Sequence, residues 1–156
     1  MSVLVFRNVF LFVVTILLVS AAFAQGPLAS PQTPQEFFDR ANALFDRSEY
    51  DAAIADYSAA IKLKPTAWGA FNGRGNAYYR KGNNALALAD YDTAIRLNPG
   101  FPLAFYNRSL VHLNEKRFDE ALSDCKAVTR LQASHADAHV VCGMAHHSKK
   151  EYDAAI

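Results

Sequence analysis

The hexapeptide EYDAAI occurs twice in the chain, at Glu49–Ile54 and again at Glu151–Ile156. The two copies start 102 residues apart, which is three times 34. A spacing of 34 residues is too long for a coiled-coil heptad and too short for a whole domain. It indicates an array of small units of equal length, each of which packs against its neighbours.

Other positions repeat at the same interval and keep a constant chemical character. The alanines are Ala53, Ala87, Ala121 and Ala155, a second small series is Ala41, Gly75, Ser109 and Gly143, and Pro65 pairs with Pro99 as Tyr57 does with Tyr91. Small residues let the two helices of a hairpin approach closely, because helix separation depends on the side chains at the contact. The sequence therefore predicts a series of two-helix hairpins.

The unit at Trp68–Phe101 resembles the tetratricopeptide repeat family, whose 34-residue pattern runs aromatic, Gly, Tyr, Ala, aromatic and Pro. The matching residues are Phe71, Gly75, Tyr78, Ala87, Tyr91 and Pro99. The resemblance extends from Thr33 to the end of the chain. It implies an all-α fold, a right-handed superhelix of antiparallel helix pairs.

The same register divides the array into repeats, at residues 34–67, 68–101 and 102–135, with a partial fourth repeat at 136–156. Thr33, Pro34 and Glu36 form a helix-start pattern with a capping box. We expect the second EYDAAI copy to open the second helix of the fourth repeat. On this view the sequence ends artificially inside a truncated repeat, whose last apolar face lacks a polar cap.

A different pattern occupies the residues before the array. Residues 1–24 have a basic start at Arg7, an apolar run and a small-residue ending at Ala22-Phe23-Ala24, which is typical of a cleaved secretory signal peptide. Residues 25–32 predict a flexible linker. An uncleaved membrane anchor is the alternative, but the apolar run of about 15 residues is shorter than the roughly 20 that span a bilayer. We expect an exported protein, periplasmic or secreted, with no stable membrane insertion after cleavage.

Charge and cysteine content limit the possible partners. The chain has 16 Lys and Arg against 15 Asp and Glu, so its net charge gives no reason to expect nucleic acid or an anionic membrane as partner. Cys125 and Cys142 are the only cysteines. In an oxidising compartment they can form a disulfide, or they can remain two buried thiols that pack as small apolar groups.

No catalytic motif is present. The sequence contains no Gly-rich phosphate loop, no G-x-S-x-G and no H-E-x-x-H, so we expect neither enzymatic activity nor a cofactor. Two alternatives stay open. His135, His139, Cys142 and His146 share one helical stripe that could bind a metal. The chain could also be the amino-terminal part of a longer protein with a further domain.

The family resemblance implies that a protein or peptide binds in the concave groove formed by the first helices. Its groove positions correspond here to Phe38, Asn42, Phe45, Asn72, Asn76, Tyr79, Tyr106, Leu110 and Leu113. Asparagine can bind a peptide backbone without reading its sequence, and aromatic rings can hold apolar side chains. Alternatively, the rings only pack between helices. Chaperone-binding members clamp a terminal carboxylate with groove lysines, and Phe38 and Leu103 stand at those positions, so that partner class is not expected.

An arginine series departs from the family pattern, which has Leu at these positions. Arg40, Arg74 and Arg108 recur at 34-residue spacing, as do Asp56, Asp90 and Asp124 on the second helices. Cys142 takes the arginine position in the last unit, where His146 also replaces the family's Tyr. Inward-facing arginines need partners, so the sequence predicts one Arg–Asp bridge inside each complete hairpin. An anion-binding stripe is the alternative.

Overall fold

The computed structural model describes residues 31–155, and this part of the chain is all-α, as the sequence predicts. Its helices are α1 (Pro34–Asp46), α2 (Tyr50–Leu63), α3 (Trp68–Arg80), α4 (Asn84–Leu97), α5 (Pro102–Asn114), α6 (Phe118–Leu131) and α7 (Ala136–Ala155). The predicted signal peptide and most of the linker lie outside the described residues. In residues 31–155 no helix is both long and apolar enough to cross a bilayer.

The array begins with the capping box that the sequence predicts. The hydroxyl of Thr33 accepts a hydrogen bond of 3.1 Å from the N–H of Glu36, and the Glu36 carboxylate accepts one of 3.2 Å from the N–H of Thr33. These bonds satisfy backbone donors that an α-helix leaves unpaired at its start. Pro34 fits the first helical position because it has no N–H to satisfy.

A left-handed backbone residue marks the turn of each complete hairpin. Ser48, Gly82 and Lys116 lie 34 residues apart and have φ values of 62°, 77° and 60°. The equivalent Lys150 is helical, and α7 continues through it without a turn. The prediction that the second EYDAAI opens a second helix is therefore wrong for this structure. A continuous helix keeps every backbone hydrogen bond, whereas the six residues after Lys150 could bury little surface in return for forming a separate helix.

The helices stack in chain order, and the first helices lie closest together. Each helix packs against the next one, and α1 also contacts α3, α3 contacts α5, and α5 contacts α7. No two of the second helices α2, α4 and α6 come within 8 Å of each other at their Cα atoms. Because the first helices are closer together, the array curves with the first helices on its inner, concave face.

Glycines in α3 allow second helices to pack against its backbone. A Cβ atom on Gly73 would lie 2.5 Å from the ring of Tyr57, and one on Gly75 would lie 2.7 Å from the ring of Tyr91. Both tyrosines are almost completely buried. The small series predicted from the sequence thus corresponds to close contact within and between hairpins.

The predicted Arg–Asp bridges are confirmed in all three complete hairpins. In each bridge Nε and Nη2 of the arginine donate to the two carboxylate oxygens, at 2.5 and 2.6 Å for Arg40–Asp56, 2.8 and 2.8 Å for Arg74–Asp90, and 2.8 and 2.6 Å for Arg108–Asp124. Arg74 and Arg108 also use Nη1 to bond the preceding second helix, at Ser58 and Asp92. Each of these two arginines therefore joins three helices.

A disulfide occupies the junction where this arginine is missing. Cys125 of α6 is bonded to Cys142 of α7, with their Cα atoms 5.7 Å apart. Cys142 stands at the arginine position of the fourth unit, so the disulfide joins α7 to the preceding hairpin in place of an Arg bridge. Of the two states that the sequence left open, the structure contains the bonded one.

His112 is a polar residue without a full set of partners in the core of the third hairpin. Its exposed fraction is 7%, and its Nδ1 atom is buried without a hydrogen-bond partner in the described residues. Nε2 lies 3.8 Å from the Asp124 carboxylate. Burial lowers the pKa of His112, and the Asp124 charge opposes this only in part while Arg117 and Arg108 add to the lowering. Protonation of this imidazole therefore destabilises the folded state.

We predict that His112→Leu stabilises the protein, and that the gain grows as the pH falls. Leu44 holds the equivalent position in the first unit, and an unsatisfied buried polar group costs about 1–3 kcal/mol. The unfolded chain binds a proton on His112 more readily than the folded chain does, so wild-type stability falls as the pH drops through about 6.5. Urea unfolding at pH 7.5 and 5.5 measures both effects. The exposed His146→Gln is the control, and equal pH dependence in wild type and His112→Leu would contradict the prediction.

Candidate functional site

The predicted groove residues lie on the first helices and so on the inner face of the array. Most of them are partly exposed, whereas Asn72 is only 9% exposed. Extending the groove positions by 34 residues into α7 adds Val140, Met144 and His147. Val140 and Met144 are 60% and 53% exposed, so the inner face ends in an open apolar surface.

Two groove asparagines are held by tyrosines of the second helices. The hydroxyl of Tyr57 donates to Oδ1 of Asn42 at 2.6 Å, and that of Tyr91 donates to Oδ1 of Asn76 at 2.8 Å. Burial raises the pKa of Tyr57 to about 12, so this hydroxyl stays protonated and can donate. Each asparagine has its oxygen engaged and its NH2 group without a partner in the described part of the chain. The pair therefore presents oriented hydrogen-bond donors.

Sequence reasoning selected these asparagines but missed the tyrosines that orient them. The signal was present as a fixed offset of 15 residues, which separates Asn42 from Tyr57 and Asn76 from Tyr91. In the third unit both members change together, to Leu110 and Cys125. A hydroxyl and its acceptor are expected to be gained and lost together, because a buried hydroxyl without a partner is costly.

Asn72 has a different role from the other two asparagines. Its Oδ1 accepts a hydrogen bond of 3.0 Å from Nδ2 of Asn107. This bond connects α3 with α5, the first helices of neighbouring repeats. Together with its burial, the bond makes Asn72 a spacer between repeats rather than an exposed groove donor.

The groove aromatics contact neighbouring helices and still keep part of their surface exposed. Phe38 lies 5.8 Å from Tyr57 between ring centroids, Phe45 lies 5.4 Å from Tyr50, and Tyr106 lies 5.1 Å from the His135 ring. The list of partly buried groups beside the core also includes Tyr79, Leu110 and Leu113. These residues therefore pack between helices, as the alternative interpretation held, while their exposed edges form the groove surface.

The inner face carries almost no charge. Four units at three groove positions give twelve residues, and none of them is Asp, Glu, Lys or Arg, although these four types make up 20% of the chain. Charged side chains instead form bridges within and between hairpins. A ligand of this face is consequently recognised by hydrogen bonds and apolar contacts.

The His/Cys stripe of the last unit does not form a metal-binding arrangement. Cys142 is part of the disulfide and so provides no thiolate. Nδ1 of His135 accepts from the N–H of Ala138, and Nε2 of His139 lies 3.1 Å from the Ala133 carbonyl oxygen. Among residues 31–155 no group of three or more His, Cys, Asp or Glu side chains is placed to hold a metal ion.

Stacked antiparallel helix pairs with a 34-residue period define a helical-repeat solenoid. A family model described as TPR repeat matches residues 41–82, and one described as tetratricopeptide repeat matches residues 73–133 and 106–156, more than half of the chain. The chain therefore belongs to the tetratricopeptide repeat family. No curated protein matches it.

Solved structures share this fold at low sequence identity. The first TPR domain of human RPAP3 has a TM-score of 0.76 and 21% identity, and the match covers 81% of this chain and 100% of that chain. The first TPR of Spaghetti (RPAP3), bound to the HSP90 peptide SRMEEVD, gives 0.74 and 22%, covering 80% and 99%. The TPR2B domain of yeast Sti1, in complex with pHsp70, gives 0.69 and 20%, covering 76% and 97%. Identities in this range show that the fold is similar.

Proposed function

We propose that this protein is a non-enzymatic interaction scaffold that binds an extended peptide or protein segment along its inner face. The observation that carries the proposal is the pair Asn42 and Asn76, each with its oxygen held by a buried tyrosine hydroxyl and its NH2 group directed to other partners. An extended chain offers carbonyl oxygens at regular intervals, and these are the acceptors that such donors need. Two equivalent donors on successive repeats match a chain that runs across the repeats.

The charge of the groove distinguishes its ligand from those of the structural neighbours. Neighbouring structures hold the peptides SRMEEVD and SGPTIEEVD, which are acidic at their carboxyl ends. In this chain the residues at the family's lysine positions are Phe38 and Leu103, which give a carboxylate no opposite charge. We therefore propose a ligand that is bound through its backbone and its apolar side chains, and not through an acidic terminus.

We further propose that the protein is exported and works in the periplasm or outside the cell. The Ala22-Phe23-Ala24 pattern supports this location. The Cys125–Cys142 disulfide is consistent with it, because such bonds persist in oxidising compartments and are rare in the cytosol. Cross-linking in the native envelope, followed by mass spectrometry of the captured partner, tests location and binding together.

We predict that the double variant Asn42→Asp/Asn76→Asp loses partner binding and keeps its fold. Aspartate preserves the oxygen that accepts from Tyr57 and Tyr91 but replaces the NH2 donor with a second acceptor, which repels a ligand carbonyl. Affinity for the cross-linked partner should fall about tenfold or more. Calorimetric titration with that partner measures the loss.

The alanine variants of the same residues provide the matched comparison. Asn42→Ala and Asn76→Ala leave a buried tyrosine hydroxyl without an acceptor, so they should lower the free energy of unfolding by about 1–3 kcal/mol each. This corrects the simpler expectation that a groove asparagine is dispensable for stability. If the double Asp variant binds the partner as tightly as wild type does, the inner-face proposal is rejected.

A further inference from the structure

An open cleft lies between the amino-terminal ends of α1 and α3. Its volume is about 450 Å³, and its walls are the rings of Phe38 and Trp68 together with Pro34, Ala67, Gly69 and Ala70. Ligand clefts in proteins typically measure about 300–1,000 Å³ and are mainly apolar. Neither the sequence patterns nor the groove positions considered above identify this cleft.

The two aromatic walls are held in place by other rings. Trp68 packs on Phe101 with their centroids 4.5 Å apart, and Phe38 packs on Tyr57 at 5.8 Å. Trp68 nevertheless remains 37% exposed. Walls that are fixed before binding lose little conformational entropy when a ligand enters, which favours affinity.

Gly69 keeps the cleft open. It lies in the first turn of α3, and a Cβ atom there would meet the Phe38 ring at 3.6 Å, which is ordinary van der Waals contact. The backbone of Gly69 therefore tolerates a side chain. Any side chain larger than a methyl group would project into the space that the cleft now offers.

The cleft is continuous with the groove and has one sign of charge. Phe38 precedes Asn42 by four residues on α1, so the two side chains are neighbours on one helix face. Lys64 is the only charged residue among the ten that line the cleft, and no lining residue is acidic. A ligand group beside the cleft is therefore favoured when it is negative and disfavoured when it is positive.

We propose that this cleft is a side-chain subsite of the peptide groove, filled by a large apolar side chain next to a carboxylate-bearing residue. The proposal rests on the proposed function in one respect, namely that the ligand is a peptide. The apolar side chain lies between Phe38 and Trp68, the carboxylate faces Lys64, and the backbone continues toward Asn42.

The test titrates the full-length chain with a fluorescein-labelled decapeptide of Gly and Ser that carries Phe-Glu at its centre, acetylated and amidated at its ends. Binding is followed by fluorescence anisotropy and by the emission of Trp68, the only tryptophan in the chain. Replacing the peptide's Phe with Ala should weaken binding about tenfold or more, as expected when one large side chain is no longer buried. Replacing its Glu with Lys should also weaken binding.

Gly69→Leu fills the cleft and should weaken the Phe-Glu peptide by a similar factor without loss of thermal stability. Gly143→Ala is the matched control, because it also replaces a helical glycine, has no atom within 4 Å of its new Cβ, and lies far along the chain from the cleft. This variant should bind like wild type. Equal affinity of Gly69→Leu and wild type, or no binding of the Phe-Glu peptide, would overturn the subsite.

Other occupants give distinct results. If Leu28→Ala increases acrylamide quenching of Trp68 in the absence of peptide, the chain's own preceding segment fills the cleft and the peptide assignment is wrong. If quenching changes with protein concentration, a second copy fills it, and the assignment is equally wrong. Failure of the asparagine test with successful Phe-Glu binding would reject the donor groove but retain the cleft as a binding site.

Discussion

Arg74→Ala is expected to lower the free energy of unfolding by about 3 kcal/mol or more, because it leaves Asp90 buried without a counter-charge. The Asp90 side chain is only 8% exposed and receives two hydrogen bonds from Arg74. Arg74 also bonds Ser58 of α2, and its guanidinium lies 5.6 Å from the centre of the Phe71 ring. One substitution therefore removes contacts within a hairpin and between hairpins. Urea unfolding followed by circular dichroism measures the change.

Two further variants separate the stranded charge from loss of the arginine side chain. Arg74→Ala/Asp90→Ala removes both charges and should be more stable than Arg74→Ala alone. Arg96→Ala changes an exposed arginine on α4 and should stay within about 0.5 kcal/mol of wild type. If the double variant is no more stable than Arg74→Ala, the stranded carboxylate is not the cause of the loss.

Removing the disulfide through Cys125→Ala/Cys142→Ala is expected to cost about 3 kcal/mol, the value for a closed loop of about 15 residues. The bonded residues are separated by 17 positions. Without the bond, α7 is attached through Val141, Ala138 and Ala145 alone, which are buried but small. Its release should therefore precede unfolding of the other hairpins, since repeat arrays open locally. Hydrogen exchange resolved by mass spectrometry should show faster exchange in α7 first.

A reductant provides the control for the disulfide prediction. It should destabilise the wild-type chain and leave the double alanine variant unchanged. Thiol titration of unfolded, non-reduced protein should find no free cysteine. Two titratable thiols in the isolated protein, or equal stability with and without reductant, would contradict the prediction.

The 34-residue period predicted the helical hairpins and the Arg–Asp bridges, because both depend on which residues recur on equivalent helix faces. The same reasoning could not decide whether Cys125 and Cys142 are bonded. Periodicity places both on facing helices, whereas a disulfide depends on the distance and direction of their Cβ atoms. The turn expected at Lys150 was wrong because local pattern alone does not establish whether a second helix has enough surface to bury.

The candidate site was predictable in part. Family positions identified Asn42 and Asn76, but a position in a pattern does not reveal that their oxygens are already bonded to Tyr57 and Tyr91. Asn72 shares their residue type and yet contacts Asn107, because it faces the neighbouring first helix. The Phe38–Trp68 cleft was missed because an empty space arises from the residue that is absent, here the side chain of Gly69, and single-residue propensities do not register it.

The bridging contacts also bear on how the gene for such an array can change in length. Every Arg–Asp bridge spans 16 residues, and two Lys–Asp contacts, Lys81 with Asp51 and Lys149 with Asp119, each span 30. Contacts at constant intervals are reproduced when a 34-residue unit is duplicated or deleted in frame. The binding face can thus lengthen or shorten by whole units during evolution without new partners for its charges. The disulfide is the exception: a unit inserted between Cys125 and Cys142 would separate them, so this junction is where such a change is least tolerated.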